Sequence, residues 1–313
     1  MKITILDAKT LGEGVDLSIF EQFGSLEIYQ TTSRDQTIKR VEKSDIIITN
    51  KVILDKTILD ACKNLKLICI SATGMNNVDL EYAKQKGVRV TNVAGYSTKS
   101  VAQHTFSMLF YLLEQMRYYD EYVKSGNWER DKLFTHISRP FYEISSRKWG
   151  IIGMGAIGRE VARIATAFRC EVLYYSTSGK NSNQPYKRVA LDTLLSECDI
   201  VSIHAPLNEK TQNLIAKDEL ALLKENSVLL NLGRGGIVNE EDLAQALNQK
   251  RFFVGLDVTQ EEPLSNQSPL FKVKENERLL ITPHIAWTSL EAREALLQGV
   301  VKNIKEYLKD YTL

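Results

Sequence analysis

Two stretches of the chain combine residue types that can hold charged ligands. One is "WGIIGMGAIGREVARIATAF", where Gly153-x-Gly155-x-x-Gly158 follows an apolar run and opens a helical period. In that context each glycine has its own task. Gly153 allows a tight turn, Gly155 lets the backbone approach a pyrophosphate, and Gly158 lets the helix pack close to the strand. The first helical turn, through Ala156 and Ile157, offers free N–H groups and the positive dipole end to phosphates. The other stretch is "NLGRGG", which follows the strand-like "VLLNL". Arg234 there sits at a C-terminal strand edge, where α/β sites form. A guanidinium can bind a carboxylate and polarise a neighbouring carbonyl, and it does not lose its charge. Gly233, Gly235 and Gly236 around it suit a backbone that passes close to a ligand.

A dinucleotide on the glycine loop would bring its adenosine ribose to the end of the next strand, "EVLYY". An acid there accepts the ribose hydroxyls and repels a 2′-phosphate. The stretch "LYYSTSGK" has none: Ser176, 18 residues after Gly158, is followed by Thr177, Ser178 and, at a short distance, Lys180. Hydroxyls with a lysine nearby can accommodate a phosphate. The expected cofactor is therefore NAD or NADP, with relaxed or NADP-tolerant selection.

These residues need a scaffold of strands and helices. "KITIL", "LEIYQ", "DIIIT", "LKLICI" and "VRVTN" read as buried strands. Amphipathic stretches lie between them, including "DKTILDACKN" and "VDLEYAKQKG", the latter with the helix-stop Gly87. Strands alternating with helices indicate parallel βαβ units, one series running from Met1 to about Val93. A single long helix is predicted over Thr98 to Lys124 as a bridge between domains, followed by a less regular segment. A second series begins at "RKWGIIGMG" and runs through "EVLYY", "DIVSIH", "VLLNL", "FFVGLDV" and "LLITP" to a last helix from about Ser289 to Leu308. The fold class is α/β, with two doubly wound Rossmann-like domains, parallel sheets and an interdomain cleft.

Composition agrees with such a chain. Its 313 residues allow two domains, with 43% hydrophobic and 25% charged residues. A formal charge of +1 gives no electrostatic reason to expect a nucleic acid or an anionic membrane as partner. No apolar run is long enough to span a bilayer, and "MKITILDAKT" reads as a strand rather than a secretion signal. Cys62, Cys69, Cys170 and Cys198 lie in hydrophobic patterns without CxxC pairing. They are expected to be reduced and buried in a cytoplasmic protein. No metal site is expected, because no histidine completes a set with Cys62 and Cys69.

The motifs extend beyond a generic dinucleotide fold. "NLGRGGIVNEEDLAQAL", "GLDVTQEEPL" and "ITPHIAWTSLEAR" follow the glycine loop in that order, and "ATGMNNVDL" and "NVAGYSTKSVAQHT" precede it. As a set they resemble the D-isomer-specific 2-hydroxyacid dehydrogenase family. "AGYSTKSVAQHT" and "PHIAWTSLEAR" are most similar to its glycerate dehydrogenase (hydroxypyruvate reductase) branch. The resemblance implies a discontinuous substrate domain, residues 1–97 plus 288–313, and a dinucleotide-binding domain, residues 98–287. It also implies a homodimer formed through the cofactor domains, and hydride transfer between a nicotinamide dinucleotide and a small 2-keto or 2-hydroxy acid.

Such chemistry needs a proton donor and a carboxylate anchor. By resemblance His284 is the acid/base, an imidazole being able to hold a proton for reduction and take one for oxidation. Glu262, directly before Pro263, is its carboxylate partner, and Arg234 anchors the substrate. Thr73, Gly74 and Met75 would offer N–H groups to the substrate carboxylate, as an anion nest does, and Tyr96 would line the pocket. The resemblance sets His204, Ala205, Pro206, Thr211, Leu232 and Gly233 along the cofactor, with Asp257 beside the nicotinamide carboxamide. His204 ends a strand too, but is not expected to donate the proton. His104 is expected to pack or hydrogen-bond between domains, and His136 has no motif around it. The alternative function is a dinucleotide-sensing, corepressor-like binding protein on the same fold. Phosphoglycerate oxidation is a further family chemistry. The chain ends at "YLKDYTL", so no appended C-terminal regulatory domain is expected.

Overall fold

The computed structural model describes residues 1–181 and 183–311, leaving Ser182 and the final Thr312 and Leu313 outside the described residues. It divides into two compact units, Met1–Ser97 with Thr288–Leu313, and Thr98–Trp287.

The first unit holds β1 (Lys2–Ile5), β2 (Ser25–Ile28), β3 (Ile46–Thr49), β4 (Leu67–Ile70) and β5 (Arg89–Thr91). They form a parallel sheet in the order β2-β1-β3-β4-β5. The central strands β3 and β4 are buried at every position, which is why they read as unbroken apolar runs. Helices α1 (Arg34–Val41), α2 (Lys56–Ala61) and α3 (Leu80–Gln85) form the crossovers. Asp55 caps α2 at the Ile58 N–H and Asp79 caps α3 at the Tyr82 N–H. Gly87 follows α3 at φ 72°, in the left-handed region that ends helices.

The second unit opens with α4 (Thr98–Leu113), α5 (Met116–Lys124) and the short α6 (Asn127–Arg130). It continues with β6 (Lys148–Ile152), α7 (Ala156–Ala167), β7 (Glu171–Tyr175), β8 (Lys187–Arg188), α8 (Leu191–Glu197) and β9 (Ile200–Ile203). Then follow α9 (Lys217–Leu222), β10 (Val228–Asn231), α10 (Glu240–Gln249), β11 (Phe253–Leu256) and β12 (Leu279–Ile281). Its sheet is parallel, ordered β12-β11-β10-β9-β6-β7-β8. The order reverses between β6 and β9, and ligands of open α/β sheets bind outside the carboxyl ends of strands at such a switch point. Pleating sends Trp149 and Ile151 of β6 into one core layer and Ile152 into the other. The Trp149 indole N–H donates to Ser202 Oγ at 2.9 Å, and the Phe106 ring of α4 lies 4.8 Å from it.

The single helix predicted over Thr98 to Lys124 is in fact two, broken where Gln115 turns left-handed at φ 54°. The break falls where the buried stripe ends. Phe106, Met108, Leu109 and Leu112 of α4 are buried, whereas α5 buries nothing fully. Each such large side chain contributes about 1.5–3 kcal/mol by burial, and that hold stops at Leu112. In α5 the apolar period comes from tyrosines, and these pack elsewhere. Tyr122 stacks on His136 at 3.7 Å, and Tyr118 lies under the Arg139 guanidinium at 3.9 Å. Nor is α4 a free-standing connector, since it packs on α7, β10 and β11.

Helix α11 (Leu290–Tyr311) closes the first unit by packing on β4. Arg293 near its start donates to the carbonyls of Leu11 (2.9 Å) and Glu13 (2.6 Å). Among the described residues no helix is long and apolar enough to cross a membrane.

Candidate active site

The glycine loop joins β6 to α7. Gly153 has φ 96°, and a Cβ there would sit 2.8 Å from the Ala205 nitrogen, so the turn after β6 is pressed against the chain leaving β9. A Cβ on Gly158 would overlap the Gly153 carbonyl, which brings α7 onto the strand. Gly155 differs: a Cβ there would meet nothing within 4 Å. The backbone thus borders open space at the residue expected to approach a pyrophosphate, and α7 starts from it with no side-chain cap. Ala156 is exposed and Ile157 half-buried against the core. These residues fit a dinucleotide, with N–H groups at the helix start, open space beside Gly155, and a turn that tolerates only glycine at 153 and 158.

Ser176 directly follows β7, with 5% of its surface exposed and an Oγ that has no partner among the described residues. Thr177 beside it is half-buried. Beyond β9 lie His204, Ala205 and Pro206. Both His204 ring nitrogens are sealed from water without a partner among the described residues, and burial pushes the imidazole down to about 3. Ala205 and Leu232 point into the core, so only their backbone is on offer. Thr211 is fully buried, and its Oγ1 donates to the Pro206 carbonyl at 2.7 Å and accepts from the Asn208 N–H at 2.8 Å. It staples the turn after Pro206.

Arg234 lies just past β10. Asn231, the last residue of that strand and 1% exposed, accepts from the Gly233 N–H (3.1 Å) and donates to the Arg234 carbonyl (2.9 Å). A Cβ on Gly235 would overlap the Thr259 carbonyl, so this loop is seated on the one after β11. The Arg234 side chain is exposed, donates to the Gly233 carbonyl at 2.7 Å, and has no carboxylate partner among the described residues. The loop after β11 carries Glu262. Its Oε1 accepts from the Thr259 N–H at 3.3 Å, and its Oε2 lies 2.8 Å from His284 Nδ1. Glu240, at the start of α10, accepts from the Gln260 N–H at 2.6 Å, and burial raises its carboxyl above the usual range.

His284 follows β12 at φ 55°, a strained setting for a side chain larger than glycine. Its side chain is 27% exposed and that of Glu262 34%, so the pair is open to solvent or a small ligand. The loop is held from behind by Asp257, just past β11 and 2% exposed. Asp257 Oδ1 accepts from Thr282 Oγ1 (2.6 Å) and the Ile285 N–H (2.9 Å), and Oδ2 from the Ala286 N–H (2.9 Å). These donors on both oxygens give Asp257 a scaffolding task that the expectation of a nicotinamide partner did not include. His104 of α4 shares Thr282 Oγ1 at 3.2 Å and sits 3.6 Å from Asp257. Burial lowers its imidazole, and Asp257 partly opposes that. These bonds of His104 lie inside the second unit. Ser100 donates to the Ala286 carbonyl at 2.6 Å.

In the first unit, Thr73, Gly74 and Met75 lie beyond β4. Their N–H groups bond to no other described residue, while the Thr73 hydroxyl donates to the Val93 carbonyl at 3.2 Å. The Met75 side chain packs on the core of this unit, and Tyr96 is half-buried. The four cysteines are free and buried. Desolvation pushes Cys62 and Cys170 up to about 11, and Cys69 and Cys198 to about 12, so none carries thiolate near neutrality. Among the described residues no three His, Cys, Asp or Glu groups gather as a metal site.

Sequence reasoning missed Asn231, Glu240, Ser100 and Thr282. For Asn231 and Glu240 a signal was present: a polar residue closing an apolar strand, and an acid at a helix start beside a glycine-rich loop. Nothing local marks Ser100 or Thr282, whose partners lie 186 and 178 residues away.

Comparison with known proteins identifies the family. Residues 106–286 match the model for the D-isomer specific 2-hydroxyacid dehydrogenase NAD binding domain. The chain is 35% identical over 317 residues to a hydroxypyruvate reductase of Blautia hydrogenotrophica, covering 99% of this chain and 97% of that protein. It superposes with a TM-score of 0.87 (29% identity, 99% and 98% coverage) on an acyclic imino acid reductase in complex with NADPH and D-Arg. The TM-score is 0.84 (27% identity, 99% and 96% coverage) for a D-lactate dehydrogenase from Aquifex aeolicus complexed with NAD and lactic acid. The chain thus belongs to the D-isomer specific 2-hydroxyacid dehydrogenase family, and it is an oxidoreductase that works with a nicotinamide dinucleotide on a small-molecule substrate.

Proposed function

We propose that this enzyme reduces small 2-keto acids of the hydroxypyruvate or glyoxylate kind to D-2-hydroxy acids, with His284, Glu262 and Arg234 as its catalytic residues. The observation that carries the reading is the 2.8 Å pair between His284 Nδ1 and Glu262 Oε2, accessible and held by a buried scaffold. With Nδ1 engaged by the carboxylate, Nε2 is left to carry the transferable proton. When bound, the nicotinamide supplies the hydride. The keto carbon gains it, the keto oxygen gains the proton from His284, and Glu262 stabilises the imidazolium before that transfer. Arg234, without a carboxylate of its own, grips the substrate carboxylate and favours the charge that develops on the keto oxygen. The N–H groups of Thr73, Gly74 and Met75, which bond to no other described residue, suit a carboxylate, and Tyr96 is the tyrosine proposed to line a substrate pocket.

Steady-state rates at 340 nm test this, with NADH and NADPH each run against hydroxypyruvate, glyoxylate, pyruvate and phosphohydroxypyruvate. Hydroxypyruvate or glyoxylate is expected to give the highest kcat/KM. Turnover confined to phosphohydroxypyruvate would replace the substrate class, and turnover with none of the four would sink the reading.

The cofactor preference follows from Ser176. Without an acid at the ribose, the main device for rejecting a 2′-phosphate is missing, and the enzyme accepts NADP as well as NAD. Ser176→Asp is expected to shift the NADH/NADPH ratio of kcat/KM toward NADH by at least about tenfold; an unchanged ratio refutes the idea. The active form is a homodimer built on the segment after α5, a reading supported by the exposure there of Leu133 (64%), Phe134 (89%), Ile137 (80%) and Phe141 (54%). Four unpaired, buried thiols support a location in the reducing cytoplasm.

A further inference from the structure

Strand β8 has no counterpart in the sequence reading. It is two residues long and pairs with β7, setting Lys187 opposite Leu173 and Arg188 opposite Tyr174. Its effect is to bring the chain back beside the turn that follows β7. That turn is closed by the Gly179 N–H donating to the Ser176 carbonyl at 3.4 Å, with Gly179 at φ 72°. The Lys180 N–H then donates to Ser178 Oγ at 3.3 Å. A Cβ on Gly179 would lie 4.0 Å from Arg188 Nη2, so the Arg188 guanidinium borders the turn.

Three properties of this corner point to one kind of ligand. No carboxylate lies between Ser176 and Lys180. The Ser176 hydroxyl is buried and unpartnered, at the position where the ribose is expected. The Arg188 side chain is exposed and forms no ion pair or hydrogen bond among the described residues. An unpaired buried hydroxyl calls for a polar neighbour. A guanidinium fork presents paired N–H donors that match phosphate oxygens, a geometry a lysine ammonium lacks. A bare ribose hydroxyl gives that fork little to grip, whereas a phosphomonoester on it carries close to two negative charges.

We propose that Arg188 reads the 2′-phosphate of the dinucleotide, together with the Ser176 and Thr177 hydroxyls, so that discrimination rests on β8 rather than on Lys180. This rests on the reading that the enzyme accepts NADP.

The test is direct binding, without turnover. Adenosine 2′,5′-bisphosphate and 5′-AMP, which differ only by the 2′-phosphate, are titrated calorimetrically into the wild type, Arg188→Ala, Arg188→Lys and Lys180→Ala. The wild type should bind the bisphosphate at least about tenfold tighter than 5′-AMP. Arg188→Ala should weaken the bisphosphate roughly 10- to 100-fold and leave 5′-AMP within about twofold. Arg188→Lys should restore part of the loss, and Lys180→Ala should keep most of the discrimination. Discrimination that survives Arg188→Ala, or that is lost in Lys180→Ala instead, overturns the assignment while NADP acceptance stands. An equal loss of both ligands in Arg188→Ala overturns it too, by showing a role that is not specific to phosphate. Should the wild type bind the two ligands equally, no group reads the 2′-phosphate and the role of Arg188 falls while NADP acceptance stands; a bisphosphate bound at least about tenfold more weakly than 5′-AMP would overturn NADP acceptance itself.

Discussion

His204 and His284 each stand just beyond the C-terminal end of a parallel strand in the same sheet, β9 for one and β12 for the other. By position alone either is a candidate acid. Their surroundings make them opposites. The His204 ring is sealed with no partner among the described residues, and desolvation holds it neutral down to about pH 3. The His284 ring has a carboxylate 2.8 Å away and a side chain 27% exposed. A strand end in an α/β sheet therefore supplies location, while water access and a charged partner decide whether an imidazole can exchange protons. The loops differ in kind as well. The His204 segment is pressed against the Gly153 turn, whereas the His284 loop is held through its backbone by Asp257 and Ser100.

The largest effect is expected at His284. Replacing it with alanine removes the acid/base, and kcat for 2-keto acid reduction should fall about 10²- to 10⁴-fold. Dinucleotide affinity, measured by NADH fluorescence, should change little. An equal loss in affinity and kcat would make His284 structural and erase the contrast with His204. Next in size is Glu262→Gln, which keeps the shape but removes the charge that favours the imidazolium. A fall in kcat of roughly 10- to 100-fold is expected, and a wild-type rate would show that the pair is ornamental. The smallest effect concerns His204 and stability. In the unfolded chain this imidazole takes up a proton near pH 6.5, and in the folded chain only near 3. The unfolded state thus binds more protons between those values, and stability falls as pH drops through that window. His204→Asn removes this contribution, so its melting temperature should decline less steeply from pH 6.5 to 4 than that of the wild type. Parallel slopes would mean that His204 is protonated in the fold.

Much of this site is legible in the residues alone. The glycine loop stands out because a turn, a close approach and a helix–strand contact each require a missing side chain within six residues, Gly153 to Gly158. Arg234, Glu262 and His284 are legible through their motifs, while the geometry that joins the last two is not. The predicted helix over Thr98 to Lys124 fails at Gln115 because apolar periodicity cannot say which partner a tyrosine will meet. Strand β8 is invisible in the sequence, since "YKRVA" has no apolar alternation and forms only because β7 offers an open edge.

By itself the sequence determined the alternation of the main strands and their crossover helices, though neither β8 nor the break at Gln115, together with the glycines that only a tight backbone explains and the absence of an acid after β7. These are local properties, set by side-chain period and backbone sterics within a few residues. Tertiary structure alone decided which polar groups are dry, which are paired and which face water. Ser100, His104 and Asp257 meet the His284 loop across long stretches of chain. Arg188 reaches the Ser176 turn through strand pairing. Burial and charge proximity depend on distances between residues far apart in sequence, and those distances exist only once the sheet has assembled.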